Sequence, residues 1–218
     1  MQSKIIVTKD KSKTLLIPEL NETYHSTNGA LTEALHVFQK AGIDYSERKD
    51  LKIFEMGFGT GLNAILTFQK AQKENLNIYY ECIEAYPVSL EQALEMDYLE
   101  APELNPAFHK MHTANHKDLV ELGNHFQFRK IISKIQDYSL EQNCFDLIFY
   151  DAFGPKVQQE LWETFILSKF YEGLKPDGFL VTYCAQGAFK RNLKAIGFEV
   201  ESIPGPPGKR EMTRAFKR

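Results

Sequence analysis

The chain has 218 residues, 43% hydrophobic and 25% charged, which suits one domain with a sizeable core and the balance of an ordinary soluble globular protein. A formal net charge of −3 excludes a uniformly basic nucleic-acid binder, no apolar run approaches the roughly 20 residues of a membrane span, and three cysteines without a CxxC pair argue against a disulfide framework. MQSKIIVTKDKSK at the N-terminus has no long apolar core and no small-residue cleavage site, so no signal peptide is expected and the cytoplasm is the expected compartment.

In chain order, KIIVT and TLLIPEL predict two short strands joined by the polar turn KDKSK. NGALTEALHVFQKAG predicts a helix: Leu31, Ala34, Leu35 and Phe38 recur at helical spacing, Asn28 can cap its start and Gly42 can close its end. LKIFEM then predicts a strand, GLNAILTFQKAQKE a helix with Asn63 in its first turn, LNIYYECIEA a strand, and PVSLEQALEMDYL a helix opened by Pro87. APELNPAFHKMHTANHKDLVELG predicts mostly helix, broken at Pro102 and Pro106. Its histidines, His109, His112 and His116, lack the acid of an HExxH motif, so they read as surface residues and no metal is expected.

FRKIISKI and CFDLIFYDAF predict strands, QQELWETFILSKFYEGL a helix, DGFLVTYC a strand, and GAFKRNLKAIG a short helix. FEVESIPG and EMTRAFKR predict a closing antiparallel hairpin around PGPPGK. Cys82 and Cys184 fall in strand-like runs and Cys144 just before one, as inert core or near-core thiols. From residue 51 onward strands alternate with helices, which predicts an α/β fold with a mostly parallel sheet covered on both faces. Ligands of such sheets bind beyond the C-terminal strand ends, near the switch in strand order.

That position holds FEMGFGTGLN, with Gly57, Gly59 and Gly61 following a strand. No Lys-Ser or Lys-Thr follows Gly61, so a phosphate loop is excluded, and the spacing differs from the GxGxxG of dinucleotide sites. Glu55 would repel a pyrophosphate but attract the sulfonium and ammonium of S-adenosylmethionine. The pattern E-x-G-x-G-x-G after a strand is similar to the form used by Rossmann-like methyltransferases. Glu84 ends the next strand, where an acid can accept hydrogen bonds from ribose hydroxyls, and Asp137 follows a third strand, where it can reach an adenine amino group. Asp151 ends the apolar strand FDLIFYD, facing the methyl group, where a carboxylate can orient an amine or take its proton. Phe149, Tyr150 and Phe153 could pack around a planar base.

Taken together, YHSTNGALTEALHVF, FEMGFGTGLN, FYDAFGPKVQQELW and GPPGKREMTRA resemble, in order, four segments of the methyltransferase half of MnmC, the bifunctional tRNA 5-methylaminomethyl-2-thiouridine biosynthesis proteins, and their stand-alone relatives. The resemblance runs from Tyr24 to Ala215. It implies a class I methyltransferase with a mostly parallel seven-stranded sheet over residues 49–218, preceded by a hairpin and helix extension over residues 1–48. It implies S-adenosyl-L-methionine as cofactor, held by Glu55, Gly57, Gly59, Thr60, Gly61, Asn63, Glu84 and Asp137.

The implied substrate is the 5-aminomethyl group of a wobble uridine, 2-thiolated or not, in the anticodon arm of tRNA, with Asp151 at the amine and Phe153, Trp162, Lys209 and Arg210 at the substrate. Gly29 and Glu33 match the first segment. Ala152 and Gly154 exchange the Gly and Ala of the third. Bifunctional members continue into a flavin-dependent oxidase, whereas this sequence ends after the tail motif, so the expectation is an amine supplied by another enzyme. From Gln186 to Arg218 eight Lys and Arg face three Glu, a +5 end on a −8 body that suits a phosphate-contacting edge. A monomer is expected. A methyltransferase of a small-molecule amine, or a non-catalytic module that binds cofactor and tRNA, are the alternatives.

Overall fold

The computed structural model describes residues 3–99 and 101–218. Its central sheet has eight strands: β4 (Asp50–Met56), β5 (Asn77–Glu84), β6 (Leu119–Glu121), β7 (Phe126–Ile132), β8 (Phe145–Tyr150), β9 (Leu174–Thr182), β10 (Phe198–Pro204) and β11 (Glu211–Lys217). They lie in the order β10-β11-β9-β8-β4-β5-β7-β6. The five strands from β9 to β7 are parallel, and β11, β10 and β6 are added antiparallel. One strand exceeds the expected seven: Leu119–Glu121, inside the stretch read as helical, pairs with the β7 edge. Three residues carry too little periodicity to register as a strand in sequence.

Helices bury both faces. Val37, Phe38, Ile65, Phe68, Phe108 and Met111 fill one side, and Ile166, Leu167, Phe170, Phe189 and Leu193 the other. Two-sided cover is why FDLIFY is buried at every position, with no alternation. From β4 the chain steps outward to β5 and β7, then returns to the other side of β4 as β8. The switch in strand order therefore falls between β4 and β8, and the crevice beyond their C-terminal ends lies between Met56 and Asp151.

The N-terminal segment forms its own three-stranded sheet, β1 (Lys4–Val7), β2 (Lys13–Ile17) and β3 (Glu22–Thr23), and then a helix, α1 (Ala30–Ala34), that continues as π-helix through Leu35–Asp44. Asn28 does not cap this helix; its side-chain oxygen accepts from Lys9 Nζ. The hairpin turn does the work from a distance. Ser12 Oγ accepts from the amides of Ala30 and Leu31, and Asp10 Oδ2 accepts from the amide of Thr32 at 3.0 Å. Burial opposes ionisation of Asp10, but hydrogen bonds from Ser12, Thr8 and Thr32 hold its carboxyl well below the usual range. Asp10→Ala should lower unfolding free energy by about 1–2 kcal/mol, the worth of a strong helix cap, in a denaturant titration. Gly42 lies within the helix rather than at its end. A Cβ there would stand 3.0 Å from the Phe149 ring, so glycine lets the helix seat on the sheet.

Candidate active site

A cavity of about 610 Å³ opens above the C-terminal ends of β4, β5 and β8, within the size range of cofactor sites. Gly57, Phe58 and Gly59 line it from the glycine loop, Asn63 from the first turn of the following helix, Glu84 from β5, and Asp151 and Phe153 from the loop after β8. Ser133 to Gln136 line its far wall. The N-terminal segment covers it with Leu15 and Ile17 from β2, Leu20 from the turn after it, and Tyr24 and His25 after β3. Sequence reasoning missed this cover. Its one local signal is Tyr24, whose ring packs edge-on against Phe153 at 5.1 Å. Burial and the charge of Glu84 push the Tyr24 hydroxyl up to about 12, and burial pushes His25 down to about 4.

All three glycines of the loop have positive φ, between 53° and 90°. Glu84 clasps the loop: one carboxylate oxygen accepts from the amide of Gly59 and the other from the amide of Tyr86, both at 2.9 Å. Thr60 and Gly61 turn away from the cavity. The Thr60 hydroxyl meets Tyr98 and its carbonyl accepts from His112 Nε2 at 3.2 Å. His112 is therefore not a surface histidine. It props the loop from below, where burial lowers its pKa to about 4, and Lys130, buried beneath, donates to the Met111 and His112 carbonyls. His116 accepts from the amide of Ile132. Among the described residues no cluster of His, Cys, Asp or Glu is placed to hold a metal ion, and no helix is long and apolar enough to cross a membrane.

Beneath the floor, the Asn63 side-chain amide donates to Glu55 Oε1 at 2.9 Å and to Asp151 Oδ2 at 2.8 Å, bridging two carboxylates with one nitrogen. Glu55 is fully buried below the cavity wall. Burial raises its pKa well above normal; the Asn63 bond opposes this and the Asp151 charge adds to it. Burial likewise pushes Asp151 up to about 7, helped by Glu33 and opposed by Asn63 and Lys209. Glu55 Oε2 and Asn63 Oδ1 have no hydrogen-bond partner; the Tyr80 hydroxyl adjoins Glu55 without reaching bonding geometry. An unpartnered Asn63 Oδ1 on a lining residue, backed by the Glu55 carboxyl, fits a cationic, N–H-bearing ligand. Glu55→Gln should stabilise the cofactor-free protein in thermal unfolding, because no charge is left to desolvate, while weakening binding of a cationic ligand by about tenfold in calorimetry.

The remaining expected residues are placed as follows. Asp137 is exposed in a turn next to the far wall, outside the cavity lining; Lys169 ties that turn to helix α5 (Thr164–Gly173, preceded by α2 at Leu62–Glu74, α3 at Leu90–Leu94 and α4 at Asn105–Thr113) through three backbone carbonyls. Trp162 is buried behind the site, where its Nε1 donates to the Phe153 carbonyl at 2.9 Å and fixes that loop. Phe149 and Tyr150 are fully buried on opposite faces of the sheet, so neither can pack on a base; of these three aromatics Phe153 lines the cavity.

Of the eight tail cations, Lys190, Lys209, Arg214 and Arg218 are ion-paired with Glu211, Glu33, Glu201 and Asp177, and Lys217 donates to backbone carbonyls. Among the described residues no carboxylate pairs with Arg191, Lys194 or Arg210.

Residues 84–218 match a family described as S-adenosyl-L-methionine-dependent methyltransferase. The chain is 28% identical over 216 residues to the tRNA 5-methylaminomethyl-2-thiouridine biosynthesis bifunctional protein MnmC of Cupriavidus necator, covering 92% of this chain and 32% of that protein. The protein of the same name in Leptospira interrogans is 27% identical, with 89% and 32% covered. The chain thus spans about a third of the length of these curated relatives. The crystal structure of MNMC2 from Aquifex aeolicus superposes with a TM-score of 0.81 at 25% identity, over 100% of this chain and 70% of that one. A TehB-like methyltransferase from Corynebacterium glutamicum, at 15% identity and a TM-score of 0.50, shares the fold, with 88% and 89% covered.

Proposed function

The chain belongs to the S-adenosyl-L-methionine-dependent methyltransferases, and from that premise we propose that it N-methylates the 5-aminomethyl group of a wobble uridine or 2-thiouridine in tRNA. One observation carries the amine: Asp151, a desolvated carboxylate at the switch point, accepts a single hydrogen bond, from Asn63, and its Oδ1 takes none among the described residues. The names of the relatives support tRNA as the substrate.

S-adenosyl-L-methionine, when bound, would supply a methyl group on a positively charged sulfur, whose S–C bond electrons return to a neutral thioether as the leaving group. Asn63, on the cavity wall, would face its cationic end, with the buried Glu55 behind it on the same side-chain amide. Glu84 keeps lone pairs for ribose hydroxyls beyond the two amides it already holds, and Gly57, Gly59, Thr60 and Gly61 shape the loop. Asp137 can reach an adenine only if its turn rearranges; Gln136 already stands on that wall. Asp151 takes one proton from the substrate ammonium, since only the neutral amine has a lone pair with which to form the new N–C bond. Phe153 offers its face to the base, on a loop that Trp162 fixes.

Arg191, Lys194 and Arg210 are the tail cations available to phosphates. Arg210→Ala should weaken tRNA binding and reduce the slope of log K against log salt by about 0.9, read from binding isotherms at several salt concentrations. An unchanged slope would move the docking face elsewhere. The deciding experiment is methyl transfer from labelled S-adenosylmethionine to tRNA lacking this modification, followed by nucleoside mass analysis. A 5-methylaminomethyl nucleoside is the expected product. Transfer to a free amine but not to tRNA would indicate a small-molecule substrate, and cofactor binding with no transfer to either a non-catalytic module.

A further inference from the structure

The Glu33–Lys209 pair lies outside the cofactor cavity and joins two segments 176 residues apart, α1 and the turn between β10 and β11. Lys209 Nζ stands 2.5 Å from Glu33 Oε2 and 4.0 Å from the centre of the Tyr183 ring. The Glu33 side chain is only 11% exposed. Tyr183 donates its hydroxyl to the carbonyl of Ala152 at 2.8 Å, so the ring is fixed to the residue that follows Asp151. Asp151 itself feels both partners, Glu33 favouring its proton and Lys209 opposing it.

An aromatic face, one carboxylate in contact and a second nearby make a receptor for a primary ammonium. The group now in it is a primary ammonium on a flexible four-carbon stem. We propose that the Lys209 ammonium occupies the subsite for the substrate's own primary ammonium, and that an incoming amine displaces it from Glu33 and Tyr183 and takes its place beside Asp151. The inference rests on the reading of the methyl acceptor as a primary amine. It gives Lys209 a role other than a standing phosphate contact: the side chain is an internal competitor that leaves when substrate arrives. The arrangement also separates charge recognition, by Glu33 and Tyr183, from proton removal, by Asp151.

The test uses ethylammonium chloride, titrated into the full chain saturated with S-adenosylhomocysteine and followed by NMR, with ethanol as the neutral control. Lys209→Met keeps the apolar stem and removes the competitor. It should bind ethylammonium about tenfold more tightly than wild type, the gain expected if Lys209 fills the subsite about nine-tenths of the time. Adding Glu33→Gln should abolish that gain. Affinity for S-adenosylhomocysteine reports folding, since neither residue lines its cavity; Lys209→Gln replaces Lys209→Met should the latter misfold. A folded Lys209 variant that binds ethylammonium no more tightly than wild type overturns the proposal, as does a gain that survives Glu33→Gln or is matched by ethanol. The probe contains no RNA and no methyl group moves. Methyl transfer to tRNA without ethylammonium binding therefore removes the subsite alone, whereas binding without such transfer keeps the subsite and sets aside the tRNA reading.

Discussion

Replacing Asp151 with Asn is expected to lower methyl transfer by about 100-fold or more, in the range of a lost general base, while affinity for S-adenosylhomocysteine changes by about tenfold at most. The substitution is nearly isosteric. Its carbonyl oxygen can still accept from Asn63 Nδ2, now at 2.8 Å, so the bridge beneath the floor can persist. The charge and the proton acceptor are lost. The assay is turnover with labelled S-adenosylmethionine beside calorimetry of the cofactor product. Turnover within about threefold of wild type, far less than a general base is worth, would remove Asp151 from the reaction. Loss of cofactor binding would instead make it a support of the floor.

The same variant isolates a pH effect of definite sign. Burial raises the Asp151 pKa from 3.8 to about 7, so the folded protein holds this proton more tightly than the unfolded chain does. Its contribution to stability is fully present below about pH 4, is lost as pH rises, and is gone above about pH 7. Wild type minus Asp151→Asn, compared by thermal unfolding without cofactor, should therefore fall across that window. A difference that is flat or rises with pH would mean that Asp151 is not desolvated. Turnover runs the other way, since the ionised form is the acceptor: it should rise with pH on the acid side, with an apparent pKa at or below about 7 because cationic ligands pull the carboxyl down.

The parts of this site visible in sequence are those that the parallel sheet places by rule. Glu55, Glu84 and Asp151 each stand at the end of an apolar run, and in a parallel sheet all such ends point to one edge. The rest depends on contacts that no local pattern encodes. Asp10 caps a helix 22 residues away, Lys209 reaches Glu33 across 176, and His112 meets Thr60 across 52. The tail read as a basic patch because a charge count carries no pairing; folding brings Glu33 and Glu201 to two of its cations. Phe149 and Tyr150 looked like contacts for a base because an aromatic residue near an active strand is equally suited to the core behind it, where burial places both. Alternation fails as a guide here, since both faces of β8 are covered.

Gly57→Ala is expected to remove cofactor binding and to destabilise the fold by about 1–3 kcal/mol, the cost of a non-glycine residue held in a strained backbone region. Gly57 has a φ of 90°, and its amide donates to the Ile83 carbonyl at 3.0 Å. The preceding carbonyl, of Met56, accepts from the amide of Asp151 at 3.0 Å, so the backbone is held on both sides. A Cβ at this position, fixed in place by the main chain, would lie 2.5 Å from the Asp151 carbonyl oxygen, itself a backbone atom. No rotamer can relieve it. Either the glycine loop lifts, which breaks the clasp of Glu84 on Gly59, or the β8 tip retreats and takes Asp151 with it. Both routes damage the site, so the loss of cofactor affinity should exceed what strain alone explains. Gly154→Ala is the matched control in the same region: its nearest neighbour would be the Tyr183 hydroxyl at 3.7 Å, ordinary contact, and stability should stay within about 0.5 kcal/mol of wild type. Denaturant titration and calorimetry on the two variants decide the matter. If Gly57→Ala matched Gly154→Ala in both measurements, the close approach of the glycine loop to the Asp151 backbone would not be what fixes the site.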